Sequence, residues 1–440
     1  MTLEQVFKLR SAGTSVRTEA LAGATTFATL SYIIFVQPAV LAQAGMDFGA
    51  VMTATCVASA FATLVMGLLA NYPIAVAPAM GHNFFFAFTV VVGMGVPWAV
   101  ALGADFLAGA LFIALAAFRF REAVMDAVPD CLKSAIPVGI GLLIAFVGMQ
   151  WGGIVVADPG SLVKLGDLGA PPTLLALGGF LLIAVLLLRR VRGAILIGML
   201  ATTAAGAALG LLPFHGVFGA PPSLRPTFLR LDVAGALRPG MIEVVFVFLF
   251  LAVFDTVGTL IGVSSQGGFL RDGKLPRAGR ALLADAVGTT AGTLLGTSTV
   301  TAYVESAAGV SAGGRTGLAN VVTAGLFLLA LLLHPLAQLM GGSVETAAGL
   351  RLSPVTAAAV MTVGYLMMGN VARIRWDDVS EAVPAFVTII AMPLSLSIAD
   401  GLAFGFTSYA LLKLLAGRGR EVSALAYVLA ALFVVRFALI

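Results

Sequence analysis

The chain has 440 residues, 60% hydrophobic and only 10% charged, with a mean hydropathy of +1.05. Soluble domains carry about 25% charged residues, so this is a polytopic membrane protein. The net charge of +4 says nothing for nucleic acid, because the basic residues lie in loops. Cys56 and Cys131 fall in or beside apolar runs and imply no disulfide framework. Three scattered histidines make no multi-histidine metal site, and no cofactor motif is present. The N-terminal apolar run is too long for a cleavable signal.

About twenty apolar residues cross a bilayer. On that ruler spans are expected near 19–43, 48–70, 73–93, 97–118, 134–154, 171–188 and 193–212, then near 241–264, 281–297, 299–314, 317–339, 353–371, 382–398 and 400–416. A last apolar run, 422–440, is a fifteenth span or an interfacial helix. Lys8, Arg10 and Arg17 precede span one. Arg119 and Arg121 follow span four, Arg189, Arg190 and Arg192 span six, Arg271 and Lys274 span eight, and Arg418 and Arg420 span fourteen. These loops share one side, which the positive-inside rule makes cytoplasmic. The loop 213–240, with Arg225, Arg230 and Arg238, is external. His215 and His334 sit near external ends and carry no evident chemistry.

A weak repeat relates 64–81 to the stretch near 293–310: an apolar helix ending in Gly, a polar break, an extended piece and a glycine-bearing helix start. Ser134-Ala-Ile-Pro137 and Leu352-Ser-Pro354 each open a span. Two halves of seven spans, an odd number, have opposite orientation. The fold class is therefore an all-α polytopic membrane protein, 14 segments in a 7+7 inverted repeat, with its site between discontinuous helices at the midplane.

The two breaks carry the chemistry. In span ten, Thr299-Val-Thr-Ala-Tyr-Val304 reads as extended backbone and the small residues after Glu305 as a short helix. In span three, Tyr72-Pro73 starts an extended piece, Pro78 interrupts any helix, and Gly81-His82-Asn83 starts a short one before Phe84, Phe85 and Phe86. Half-helices meeting head to head aim free N–H groups at one point. A flat heteroaromatic ligand suits it, with acceptors for those groups and N–H groups for a carboxylate. Glu305 is that carboxylate; its other role is to cap the helix. Asp255, mid-span in Phe254-Asp-Thr-Val-Gly-Thr259, is the proton-coupling candidate, because a carboxylate at that depth must pair or hold a proton. Thr256 and Thr259 hydrogen-bond a ligand or their own turn. Asn83 caps or contacts ligand. Tyr303 and Phe84 stack on it or simply pack. His82 and Asp105 form a titrating pair, or His82 finds a backbone partner. Asp285, near the start of span nine, suits the helix dipole. Gly313-Gly314-Arg315 lacks the Lys-Ser/Thr of a phosphate loop, so Arg315 reads as a cytoplasmic anchor.

These motifs resemble the AzgA-type purine permeases of the nucleobase–cation symporter two group, the nucleobase–ascorbate transporter superfamily. The resemblance covers nearly the whole chain. Arg17-Thr-Glu-Ala-Leu-Ala-Gly-Ala-Thr-Thr-Phe27, Ala70-Asn-Tyr-Pro73, Pro78-Ala-Met-Gly-His-Asn83, Phe254-Asp-Thr-Val-Gly-Thr259, Gly296-Thr-Ser-Thr299, Glu305-Ser-Ala-Ala-Gly309 and Ser397-Ile-Ala-Asp-Gly401 carry it. It implies short antiparallel strands in spans 3 and 10. It implies a core domain of spans 1–4 (19–118) and 8–11 (241–339), and a gate domain of spans 5–7 (119–212) and 12–14 (340–416), working by elevator motion in a homodimer. The implied activity is proton-coupled uptake of adenine, guanine or hypoxanthine across an inner membrane, with the N-terminus (1–18) cytoplasmic and no cofactor. Asp255 and Glu305 match the family's acidic positions in spans eight and ten. The sequence departs from the pattern at Ala79, His82 and Phe84, which leaves the purine preference open. The other readings are an anion exchanger or channel of the same fold and a membrane-embedded enzyme.

Overall fold

The computed structural model describes residues 3–117, 129–214, 216–271, 275–346 and 351–439. Arg119, Arg121, His215 and Lys274 lie outside them. Among the described residues, nine helices are long and apolar enough to cross a membrane: Val16–Gln43, Phe48–Ala70, Trp98–Ala116, Asp130–Trp151, Pro171–Leu188, Pro239–Gly267, Leu318–Gly341, Pro354–Arg373 and Ile398–Leu415. Met80–Gly93, Ala194–Ala208 and Val379–Ser395 are shorter apolar helices and occupy the places of spans three, seven and thirteen. Ala278–Leu295 and Ser306–Ser311 occupy those of nine and ten. The protein is thus a mostly helical, multi-pass membrane protein. Helix starts follow local chemistry: Ser15 accepts from Thr18 N at 3.2 Å, Asp47 from Ala50 N at 2.8 Å and Ser397 from Asp400 N at 3.1 Å, each satisfying an amide that the first turn leaves free.

Among the described residues there are six short strands: β1 (Val76–Pro78), β2 (Val155–Asp158), β3 (Leu162–Leu165), β4 (Val300–Ala302), β5 (Val344–Glu345) and β6 (Arg351–Leu352). β1 and β4 are the extended pieces of spans three and ten, and they pair antiparallel: Val76 with Ala302, Ala77 with Thr301, Pro78 with Val300. The ladder runs on at both ends, from Ala79 N to Thr299 O (3.0 Å) and from Tyr303 N to Ala75 O (2.9 Å). Its edges are held alike in the two halves. Thr63 donates its hydroxyl to Val76 O at 2.9 Å, and Thr289 donates to Val300 O at 2.7 Å. Non-helical backbone at membrane depth survives because protein covers it, and every residue of β1 and β4 is buried. β2 and β3 form a hairpin in a stretch read as loop. Its Asp158-Pro-Gly turn between β-branched runs was the available signal.

Small residues let backbones approach, as in other membrane bundles. A Cβ on Gly317 would lie 1.9 Å from Gly67 O, and one on Gly364 would lie 2.4 Å from Gly141 O. The first contact joins spans two and eleven, the second spans five and twelve. The aromatic run of span three reaches span five: Phe84 stacks on Phe88 (5.4 Å, 25°) and lies 6.2 Å from Trp151.

One expectation of continuity is corrected, and the break expected in span three takes a form of its own. Span one is broken at Ser31-Tyr32 between Val16–Leu30 and Ile33–Gln43. Span three, after its strand and one α-turn (Met80–Phe84), is wound as a π-helix over Phe85–Gly93. The C-terminal run forms a helix, Ala424–Leu439, with Phe433 6.2 Å from Phe406.

Candidate functional site

The antiparallel β1–β4 ladder puts the starts of two short helices at its opposite ends, Met80 beyond Pro78 and Ser306 beyond Ala302. At Met80–Gly93 the amides of Met80, Gly81 and His82 have no backbone acceptor among the described residues, whereas Asn83 N bonds Ala79 O at 3.1 Å. The second start differs. Ser306 N, Ala307 N and Ala308 N are taken by Tyr303, Val304 and Glu305 carbonyls at 3.0–3.1 Å. The sequence expectation of two free helix starts therefore holds for span three and not for span ten.

Glu305 occupies the cap position of Ser306–Ser311 but makes no side-chain cap bond. The capping alternative is not realised. Its Oε1 instead accepts from the Tyr32 hydroxyl at 2.8 Å, and its carbonyl accepts from Thr29 at 3.3 Å. The break in span one gives Tyr32 this reach. Glu305 is half-buried, and its neighbour Val304 is 60% exposed.

Asp255 accepts from Thr301 of β4 at 3.1 Å, so both carboxylates converge on the same broken element. Asp255 is exposed, although it lies mid-helix in Ile242–Gly267. Gly258, Ile261, Gly262 and Ser265 are exposed on the same stripe. A Cβ at Gly258 or Gly262 would meet no atom within 4 Å. Asp255 thus heads an exposed stripe that runs to the Gly267 end of the helix, although a carboxylate facing hydrocarbon is costly.

Behind the crossing lies a buried polar core. Gln37 donates to Thr297 (3.0 Å) and Ser298 (2.9 Å) and accepts from Asn83 at 2.6 Å. Asn83 Oδ1 and both ring nitrogens of His82 are buried without a partner among the described residues. Tyr303 donates its hydroxyl to Pro78 O, which ties the two breaks together. Phe84 is fully buried in the aromatic stack, and Thr259 is half-buried.

Three assignments change. Asp105 does not pair with His82: its Oδ2 accepts from Thr299 N at 2.6 Å and its Oδ1 accepts the Thr299 hydroxyl. Asp285 is two turns inside Ala278–Leu295, too deep for the helix dipole. It is fully buried and accepts from Thr256 at 2.6 Å, which engages the Thr256 hydroxyl away from any ligand. Arg315 is more than an anchor: it donates to Val310 O (2.9 Å) and Gly314 O (2.7 Å), closing the carbonyl end of the broken helix. Sequence reasoning missed Tyr32, Gln37 and Glu19. Glu19 accepts from the amides of Arg315 (2.8 Å), Thr316 and Ala319. A buried Gln or Glu in an apolar run was the only signal for the last two; Tyr32 gave none.

A model described as a permease family matches residues 17–404. A putative permease of Methanocaldococcus jannaschii is 51% identical over 437 residues, covering 99% of this chain and 98% of that protein. The adenine permease AdeP of Escherichia coli is 44% identical, covering 100% and 96%. The guanine/hypoxanthine permease PbuO of Bacillus subtilis is 43% identical, covering 98% and 99%. Among solved structures, the transmembrane domain of the cyanobacterial bicarbonate transporter BicA aligns with a TM-score of 0.63 at 17% identity, covering 87% of this chain and 97% of that one. At that identity the likeness shows the fold alone.

Proposed function

The chain belongs to this permease family, and from that premise we propose that it imports purine nucleobases (adenine, guanine or hypoxanthine) together with protons across the inner membrane. Full-length relatives that carry adenine and guanine/hypoxanthine permease names support the ligand class. The observation that carries the site is the pair of carboxylates at one broken element, Glu305 within it and Asp255 bonded to its Thr301.

In this reading Glu305, oriented by Tyr32, accepts purine N–H groups, and the three amides donate to ring nitrogen or carbonyl acceptors. Tyr303, Asn83, His82 and Phe84 form the wall on the side of span three, and Thr259 the wall on the side of span eight, the Thr256 hydroxyl being held by Asp285. Asp255 is the leading proton site and Glu305 the second. In this reading the exposed stripe below Asp255 is the cytoplasmic exit. The core domain (19–118 and 241–339) moves against the gate domain (119–212 and 340–416) by an elevator motion, within a homodimer whose N-terminus (1–18) is cytoplasmic. The external loop 213–240 bonds to the core at Ala99 and Leu294, and the segment 417–440 packs on span fourteen of the gate. Anion exchange is the second reading, favoured only by the shared fold; two carboxylates facing the ligand oppose it.

The test is uptake of labelled adenine, guanine and hypoxanthine into proteoliposomes under an imposed pH gradient, beside bicarbonate and chloride flux. Accumulation of at least one purine above equilibrium, abolished when the gradient is collapsed, is expected. Anion flux with no purine uptake would refute the reading.

A further inference from the structure

Among the side chains that hold the breaks from the opposite half of the chain, two make grips of opposite chemistry. Asp105, in Trp98–Ala117, is fully buried and only accepts. Thr299, at the edge of β4, gives it both its N–H (2.6 Å) and its hydroxyl. Asn320, in Leu318–Leu329, is 1% exposed and donates. Its Nδ2 reaches Ile74 O at 2.8 Å and Thr63 O at 3.1 Å, beside β1. Span four thus holds the strand of span ten, and span eleven holds the strand of span three. The grips act directly on the crossing. Thr299 O takes Ala79 N at 3.0 Å, the residue before the free amides of Met80–Gly93, and Ala75, next to Ile74, takes Tyr303 N at 2.9 Å.

We infer that Asp105 and Asn320 are a matched pair of positioning residues that fix the register of the two broken spans, and that Asp105 works as a hydrogen-bond acceptor and not as a proton carrier. The inference rests on the purine-transport reading only for its functional readout. An amide at position 105 keeps the grip. Its oxygen accepts the Thr299 N–H, and its NH2 donates to the Thr299 hydroxyl, which accepts as readily as it donates. A carboxylate at position 320 does not keep the other grip. It would face two carbonyl oxygens with no proton to give, or with one if protonated. Asp105→Asn is therefore tolerated and Asn320→Asp is not, although the two substitutions are the same chemical exchange run in opposite directions.

The experiment measures KM and maximal rate for purine uptake by the full chain in proteoliposomes, together with deuterium exchange of the backbone amides of 297–303 in detergent. For Asp105→Ala and Asn320→Asp, KM rises about tenfold or more, the equivalent of about 1.4 kcal/mol, and exchange in 297–303 quickens. Asp105→Asn stays within about twofold of the parent in both, as expected when the hydrogen bonds survive, and keeps its pH-gradient dependence. Thr299→Val, which removes one donor and leaves the backbone bond, gives a smaller effect, and adding it to Asp105→Ala gives little more; this variant decides the matter if Asp105→Ala does not fold. Asp105→Asn as impaired as Asp105→Ala, or tolerated Asn320→Asp, would overturn the inference. If the parent protein takes up no purine, the transport reading fails and the exchange arm still decides the grips.

Discussion

The Tyr32 hydroxyl donates to Glu305 at 2.8 Å across 273 residues of sequence. The bond joins a break in span one to the break in span ten and fixes where the Glu305 carboxylate points. Tyr32→Phe keeps the ring and removes the donor. A typical hydrogen bond contributes about 1 kcal/mol net, so purine KM should rise about fivefold with the maximal rate little changed. An unaltered KM would show that Glu305 needs no such orientation.

Asp255 is the proposed coupling carboxylate, held among the described residues only by Thr301 at 3.1 Å and exposed. Asp255→Asn should abolish accumulation against a gradient while purine exchange between two pools continues. Counterflow measured beside net uptake separates these outcomes. Full gradient-driven accumulation in this variant would remove Asp255 from the coupling step.

The closest backbone approach tests the packing. Gly317→Ala places a methyl 1.9 Å from Gly67 O, so spans two and eleven must move apart. Overpacking of this kind costs about 1–3 kcal/mol, and the melting temperature in detergent should fall by several degrees. Gly258→Ala, whose Cβ would meet nothing within 4 Å, is the control and should melt like the parent.

Outside the membrane, Glu421 accepts from Arg418 at 2.8 and 2.9 Å and from Lys413 at 2.8 Å. The Arg418 bonds first, then Lys413, hold its carboxyl down to about 2, from an ordinary value of 4.5. A depressed carboxylate stabilises the fold above its unfolded pKa, and that contribution is lost as pH falls through the folded one. Glu421→Gln should therefore melt slightly below the parent at pH 7, with the gap closing between about pH 4.5 and about pH 2. Glu421 is half-exposed, so the effect is small; a gap that widens on acidification would reverse the assignment.

Much of this architecture is legible in the sequence, because its signals are local. Apolar runs mark the spans, β-branched Thr299 to Val304 marks the strand, and a lone Glu305 marks the break. What sequence reasoning missed depends on distant partners. Tyr32 looks like any aromatic in span one until the turn at Ser31-Tyr32 aims it at residue 305. Asp105 and His82 share a polarity that suggested a pair, yet Asp105 is claimed by Thr299, 194 residues away. Asp285 misled because its helix begins at Ala278, just under one turn before the expected start at 281, which leaves the residue two turns inside.

The central claim is that Glu305 recognises the purine. Calorimetric titration of the detergent-solubilised protein with adenine, guanine and hypoxanthine, for the parent and Glu305→Gln, tests it most directly. The account predicts saturable binding of at least one purine by the parent and loss of that heat in a Glu305→Gln protein whose melting temperature is unchanged. Equal purine affinity in the two proteins would contradict it.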